Sequence, residues 1–302
     1  TLLRNANHAM HSIKKQEQGG ITFHNDALQV KYLAKLKLRD RLKLAIEYQQ
    51  FEVYYQPIVD LPHHSIDKFE ALVRWPDGNG GFISPATFIP IAEEFNLIHR
   101  VGQFVLDRAC HDLKQLHLLG YTNVSFSINR SISEFSQKAD QGNIISQAIA
   151  AAGLPYESIV IEITESVAMS SSNHTEQALA DLRACGVKVA LDDFCTGYSS
   201  LSNLIEYKTD FLKIDKSFVD SMLTDNNHQI LVSTLIDLAK KLDMRVIAEG
   251  VESKQQLEML RGFGCHYIQG FYFSPALPYK RCVALLRNSQ TRTNGSETSS
   301  TL

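Results

Sequence analysis

The sequence predicts an eight-stranded α/β barrel, on three observations. Beyond Phe51 short apolar runs alternate with helical stretches, there are eight such runs in about 220 residues, and polar side chains fall at their ends. That is the pattern of repeated βα units closing into a (β/α)8 barrel. The runs are Phe51–Ile58, Lys68–Trp75, Val124–Asn129, Ile159–Thr164, Val187–Asp193, Phe211–Asp215, Arg245–Glu249 and Tyr267–Gln269. Helical patterns fill the gaps at Leu97–Leu119, Ile144–Ala152, Thr175–Cys185, Gln229–Leu242 and Lys254–Phe263. Only a turn-like stretch, Pro62-His63-His64-Ser65, separates the first two runs. A hairpin there makes the opening strand antiparallel, so the expected fold is a TIM-like barrel with one irregular stave.

Composition bounds the rest. The 302 residues are 44% hydrophobic and 21% charged, with 30 Lys and Arg against 33 Asp and Glu, a net charge of −3. This excludes disordered, collagenous and disulfide-stapled chains. It also argues against binding to a nucleic acid polymer, which needs a clustered basic field, so a nucleotide ligand is expected to be small. Cys110, Cys185, Cys195, Cys265 and Cys282 form an odd set without a C-x-x-C pair, which supports neither zinc nor disulfides and fits a reducing cytoplasm. No apolar run reaches the roughly 18 residues of a membrane span, and no signal-peptide core stands at the start. The chain begins at Thr1 and is read as a piece of a longer protein; any membrane anchor is expected in domains upstream.

Residues 1–24 read as a short amphipathic helix, Leu2–Lys15, ending at Gly19-Gly20. A charged linker helix is expected over residues 25–50, with Leu33, Leu36, Leu38, Leu42 and Ile46 as its buried positions. The barrel then occupies 51–287, and the Ser/Thr-rich tail 288–302 is expected to be disordered.

Seven consecutive runs finish on a polar group: Glu70, Asn129, Glu162, Asp192-Asp193, Lys213 with Asp215, Glu249, and Gln269. In a parallel barrel the C-terminal strand ends converge on one face, which makes these residues neighbours. A lone acid after a strand is ordinarily a helix N-cap. Caps do not explain an acid inside a strand, as in Phe69-Glu70-Ala71 or Ile161-Glu162-Ile163, where a carboxylate is costly unless paired or metal-bound. Converging carboxylates need a positive partner, and an all-oxygen donor set selects Mg²⁺ or Mn²⁺ over zinc. Lys213 between Leu212 and Ile214 is read as functional rather than as a surface cation. Arg74 suits bidentate contact with phosphate, or with a carboxylate of the cluster.

These residues resemble a family. Glu70-Ala71-Leu72 with Val73-Arg74-Trp75, Phe88-Ile89-Pro90, Ile161-Glu162-Ile163-Thr164-Glu165, Asp192-Asp193-Phe194, Thr196-Gly197-Tyr198-Ser199-Ser200-Leu201, Lys213-Ile214-Asp215, Glu249-Gly250-Val251-Glu252 and Gln269-Gly270 resemble, in order, the EAL domains. Those are bacterial phosphodiesterases that linearise cyclic di-GMP. The resemblance spans roughly Leu38 to Arg287. It implies a TIM-like barrel with an antiparallel first strand, working as a homodimer with two Mg²⁺ or Mn²⁺ ions. Glu70, Asn129, Glu162 and Asp192 match the first metal site, and Asp193 joins Asp192 at the second. Lys213 matches the lysine that contacts the attacking water; Asp215 and Glu249 lie close to the metals. Glu165 matches the glutamate anchoring the loop Asp193–Ser200. Gln56, Arg74, Gln269 and Glu252 match positions that face substrate; for Gln56 and Gln269 an ordinary hydrogen-bonded barrel amide is the competing reading.

Two departures qualify the match. Where the family loop usually reads Asp-Phe-Gly-Thr-Gly, this chain has Asp193-Phe194-Cys195-Thr196-Gly197, and Cys195 is expected to tune rather than abolish activity if a positive φ is required there. Leu2–Met10 resembles the last helix of GGDEF domains, with Asn7 and His11 where Asp and Tyr are usual, and no Gly-Gly-Asp/Glu-Glu-Phe follows. The expectation is therefore hydrolysis of cyclic di-GMP to linear pGpG. A cyclic di-GMP receptor without turnover is the alternative, and a barrel metalloenzyme for a small acid a third.

Overall fold

The computed structural model describes residues 26–135, 141–164, 173–194 and 209–296. The strands are β1 (Glu52–Asp60), β2 (Ser65–Pro76), β3 (Phe82–Ile83), β4 (Ser125–Arg130), β5 (Ile159–Thr164), β6 (Lys188–Phe194), β7 (Phe211–Ile214), β8 (Arg245–Ala248), β9 (Tyr267–Gln269) and β10 (Leu277–Pro278). Eight of them close a barrel in the order β1-β9-β8-β7-β6-β5-β4-β2, with β2 hydrogen-bonded back to β1. β1 runs antiparallel to both its neighbours, β2 and β9, and every pair from β2–β4 round to β8–β9 is parallel. The hairpin read at Pro62–Ser65 is the cause, because a four-residue turn returns the chain beside itself and leaves no crossover.

The chain divides into two compact units. Among the described residues, one lies within 1–51 and 75–98, the other within 52–74 and 99–302. In the first, the helix Asp26–Glu47 buries Leu42, Ala45 and Ile46 but leaves Leu33 exposed, against the expectation that Leu33 is a core position. Phe51, Trp75 and Phe88 form an aromatic cluster there, with ring centroids 5.4–6.0 Å apart, and Arg41 lies over the Trp75 ring.

In the second unit the barrel lumen is layered by the period of two that governs strands. Two residues below Glu162, Asp192, Lys213, Glu249 and Gln269 stand Val160, Ala190, Phe211, Ile247 and Tyr267. These join Ile58 of β1 in one buried apolar cluster. Lys68, two residues below Glu70, stacks its ammonium over the Phe211 and Tyr267 rings at 5.3 and 5.1 Å. The polar rim therefore rests on an apolar floor. Outward-facing strand residues such as Ile161, Val189, Leu212 and Val246 pack into the main core with the surrounding helices.

Some elements exceed the sequence expectation. The helices Pro85–Glu94 and Lys216–Ser221 and the short strands β3 and β10 are additional. The last helix, Tyr279–Ser296, continues past Asn288, where the composition suggests disorder, because Leu286 anchors it in the core. Residues 1–25 and 297–302 lie outside the described residues.

One close approach fixes the helix Ile98–Leu118 against the end of β4. Arg130 and Glu134 form an ion pair at 2.8 Å, both essentially buried, and a Cβ on Gly102 would collide with the Arg130 Nη1 and Glu134 Oε2 atoms. In a helix interior Ala is ordinarily about 1 kcal/mol better than Gly. Gly102→Ala is expected instead to destabilise the protein by on the order of 2–3 kcal/mol in urea unfolding, because a buried pair is forced apart. A stabilised variant would contradict that packing.

Candidate active site

The strand ends assemble as the parallel topology requires. At their centre is Lys213 of β7, only 1% exposed. Its Nζ lies 2.6 Å from Glu249 Oε1, 2.7 Å from Glu162 Oε2, 3.1 Å from Asp192 Oδ2 and 3.8 Å from Glu70 Oε1. Four carboxylates from four staves thus share one ammonium. Beside them runs an amide belt. Asn129 Nδ2 and Gln269 Nε2 each donate to Glu70, at 2.6 Å, and Gln269 Nε2 also reaches Gln56 Oε1 at 3.3 Å.

The cluster polarises its members. Burial works against charge on Lys213, but Asp192, Glu162, Glu249 and Glu70 overcome it and hold the ammonium well above the ordinary lysine value. Burial also opposes the charge of Glu70, and Lys213 with the Gln269 and Asn129 amides more than offsets it, so this carboxyl sits below the usual range. Glu162 is pushed well up, by burial first and then by Glu70 and Asp192. Glu249 is pushed up to about 8, again chiefly by burial. Of these three acids Glu70 is shifted toward its charged form, and Glu162 and Glu249 toward the neutral one.

Asp192 and Asp193 owe their placement to an irregularity. The β6–β7 register shifts between Leu191 and Phe194, and Asp193 takes φ +54°, in the left-handed region that Asp tolerates better than most residues. Asp192 turns inward to Lys213, and Asp193 is exposed, its N–H donating to Asp192 Oδ1 at 2.9 Å. Partial desolvation at the strand end, despite the exposure of the residue, and the neighbouring Asp192 raise the Asp193 carboxyl. The sequence places the question of positive φ at Cys195. Cys195 and the loop glutamate Glu165 both lie outside the described residues.

The other candidates separate. Asp215 just past β7 is the N-cap of the helix Lys216–Ser221, accepting from the Ser217 N–H at 3.0 Å. The cap reading weighed for lone acids thus holds at this position. Arg74 lies over the Tyr54 ring at 5.7 Å and donates to the Val73 carbonyl. Glu252 pairs with Lys216, an ion pair that sequence reasoning missed. Both line a pocket of about 300 Å³ with Gln56, Glu70, Asp192, Lys213, Glu249, Gln269 and Phe271. Also missed was Glu134, whose carboxylate accepts from Arg130 and from the Ser131 N–H, pinning the turn directly after Asn129. Its signal was the i, i+4 spacing of Arg130 and Glu134. Among the described residues no group of three or more His, Cys, Asp or Glu stands arranged around a metal position. The positive partner that the converging carboxylates meet here is the lysine.

Fold and site define a TIM-like barrel whose C-terminal rim carries acids gathered about a buried lysine. The model of the EAL domain family matches residues 39–276, and the chain belongs to that family. The cyclic di-GMP phosphodiesterase NbdA of Pseudomonas aeruginosa is 35% identical over 286 residues, 95% of this chain and 36% of that protein. MucR of the same organism, a bifunctional diguanylate cyclase/cyclic di-GMP phosphodiesterase, is 33% identical over 94% of this chain and 41% of its own length. The chain thus spans about a third to two fifths of these relatives. Among solved structures, the EAL enzyme Bd1971 with cAMP and cyclic-di-GMP bound has a TM-score of 0.80 at 33% identity, over 85% of this chain and 70% of the other. A PaMucR phosphodiesterase complex with c-di-GMP gives 0.77 at 33% identity, over 82% and 99%.

Glu249 sets a pH test. Its folded value of about 8 lies above the ordinary 4.5, so the folded state holds a proton that the unfolded chain releases. This contribution to stability is complete below the unfolded value and is lost as pH rises through the folded one. With chelator present, the melting temperature is expected to fall between about pH 5 and 9 and to fall less steeply in Glu249→Gln. Parallel curves would contradict the assignment.

Proposed function

We propose that this barrel is a metal-dependent phosphodiesterase that adds water across one phosphodiester of cyclic di-GMP and releases linear pGpG. The observation that carries the reading is the four-carboxylate cluster about Lys213 at the C-terminal rim, in a chain of the EAL family. Relatives named for this activity, and similar structures holding the dinucleotide, support it.

The residues fit a hard cation. Every donor is oxygen, and Glu162 Oε1 is buried without a hydrogen-bond partner, an acceptor free for a ligand contact. Glu70, Asn129, Glu162 and Asp192 would hold one Mg²⁺ or Mn²⁺, and Asp192 with Asp193 a second. Such ions supply charge neutralisation for in-line displacement at phosphorus and make water a stronger nucleophile at neutral pH. Lys213 orients the attacking water through its ammonium and offsets the negative charge that grows at phosphorus. Glu249 sets the position of that ammonium, and Asp215 fixes the chain immediately after β7. Gln56 and Gln269 face the ligand from the amide belt, Arg74 meets a phosphate, and Glu252 contacts substrate at the pocket lip; for Glu165, outside the described residues, a role with the loop after β6 is assigned on family resemblance. A homodimer, a cytoplasmic location and a GGDEF-like origin for residues 1–24 belong to the same reading, on family resemblance. No helix among the described residues is long and apolar enough to cross a membrane.

The test is chromatography of cyclic di-GMP after incubation with the protein and Mg²⁺ or Mn²⁺, beside Glu70→Ala. The expected result is pGpG from the parent and at least about a 100-fold loss in the variant, since even groups that only support metal ligands cost 10–100-fold. A folded parent that forms no linear product would overturn the proposal, and tight binding without product would support the receptor.

A further inference from the structure

Lys216 is the second cation in the pocket lining, and it differs from Lys213 in every respect that matters for a ligand. Its side chain is 47% exposed, and its Nζ pairs with Glu252, itself 42% exposed, with Asp220 a further 3.9 Å neighbour. The lysine stem lies across Gly250, which takes φ +69° and leaves no room for a Cβ against Lys216 Cβ and Cγ. Both ends of the pair spring from fixed backbone. Lys216 opens a helix capped by Asp215, and the Glu252 N–H donates to Gln256 Oε1 at 2.8 Å, next to the capping box of Ser253 and Gln256. Cap hydrogen bonds tie both backbones, and an ion pair this exposed is worth little to stability.

The pocket lining carries four acids, Glu70, Asp192, Glu249 and Glu252, against two lysines. Lys213 is buried and already shared among four carboxylates. Besides Arg74 and the ions proposed above, an anionic ligand meets in this lining one cation placed to leave its partner. We propose that Lys216 is that exchangeable cation: it holds Glu252 at the lip in the free protein and moves to a phosphate oxygen of the incoming dinucleotide, releasing the Glu252 carboxylate for N–H donors of a base. This rests on the cyclic di-GMP reading and adds a specificity-determining residue to it.

Calorimetric titration of cyclic di-GMP into the parent, Lys216→Gln and Lys216→Arg, each at low and moderate salt, tests the exchange. Losing a charge-assisted phosphate contact is expected to raise Kd about tenfold in Lys216→Gln and to flatten the salt dependence, while Lys216→Arg stays within about threefold of the parent. In hydrolysis the same loss falls on KM rather than kcat, which a merely structural role would not produce. An unchanged Kd and salt slope in Lys216→Gln would overturn the inference. A parent that binds the dinucleotide but gives no pGpG defeats the enzymatic reading alone, and the Lys216 comparison is still read from Kd. A parent that does not bind overturns both.

Discussion

A single ammonium enclosed by four carboxylates is the interaction on which this molecule's site depends. Lys213 is almost wholly buried, so its charge is tolerable only among these carboxylates; leaving a buried ion without its partner costs about 3–5 kcal/mol. The four acids come from β2, β5, β6 and the residue after β8. These contacts form only if the staves end at one height on one face. Closure of the barrel and the meeting of these charges are thus the same requirement, seen once from the backbone and once from the side chains.

The layers around that cluster divide the work. An apolar floor from Ile58 to Tyr267 excludes water from below and keeps the field strong. The amide belt Gln56-Gln269-Glu70-Asn129 satisfies the lone pairs of Glu70 and sets its carboxylate, which is held below the usual range while Glu162 and Glu249 are pushed up. Behind Asn129, Arg130 and Glu134 hold the chain as it leaves β4, at a spot where Gly102 alone lets a helix come close. At the lip the polar groups are exposed and exchangeable. Burial increases with depth, from the exposed Lys216 and Glu252 at the lip to Lys213 and Glu162 at the base.

Much of this was legible in the sequence because a strand period of two leaves a plain mark. An acid inside Phe69-Glu70-Ala71 or Ile161-Glu162-Ile163 has no place in an ordinary buried strand, and the residues two positions earlier form the floor. The Pro62–Ser65 turn disclosed the antiparallel stave for the same local reason. What was not legible depends on contacts between distant segments. The register shift at Asp192-Asp193 is set by the pairing of β6 with β7. The closeness of Gly102 to Arg130, and of Lys216 to Glu252, leaves no trace in local composition. Leu33 looked like core on helical spacing yet is exposed, since periodicity identifies a face and not what covers it.

On the proposed function, this carboxylate cluster exchanges part of its contact with Lys213 for hard cations. The most direct measurement is anomalous diffraction from crystals of the protein grown with Mn²⁺. The expected map carries manganese peaks among Glu70, Asn129, Glu162 and Asp192, with Lys213 drawn away from at least one carboxylate it now touches. Clear density for Lys213 still bound to all four acids, with no manganese on the rim, would contradict it.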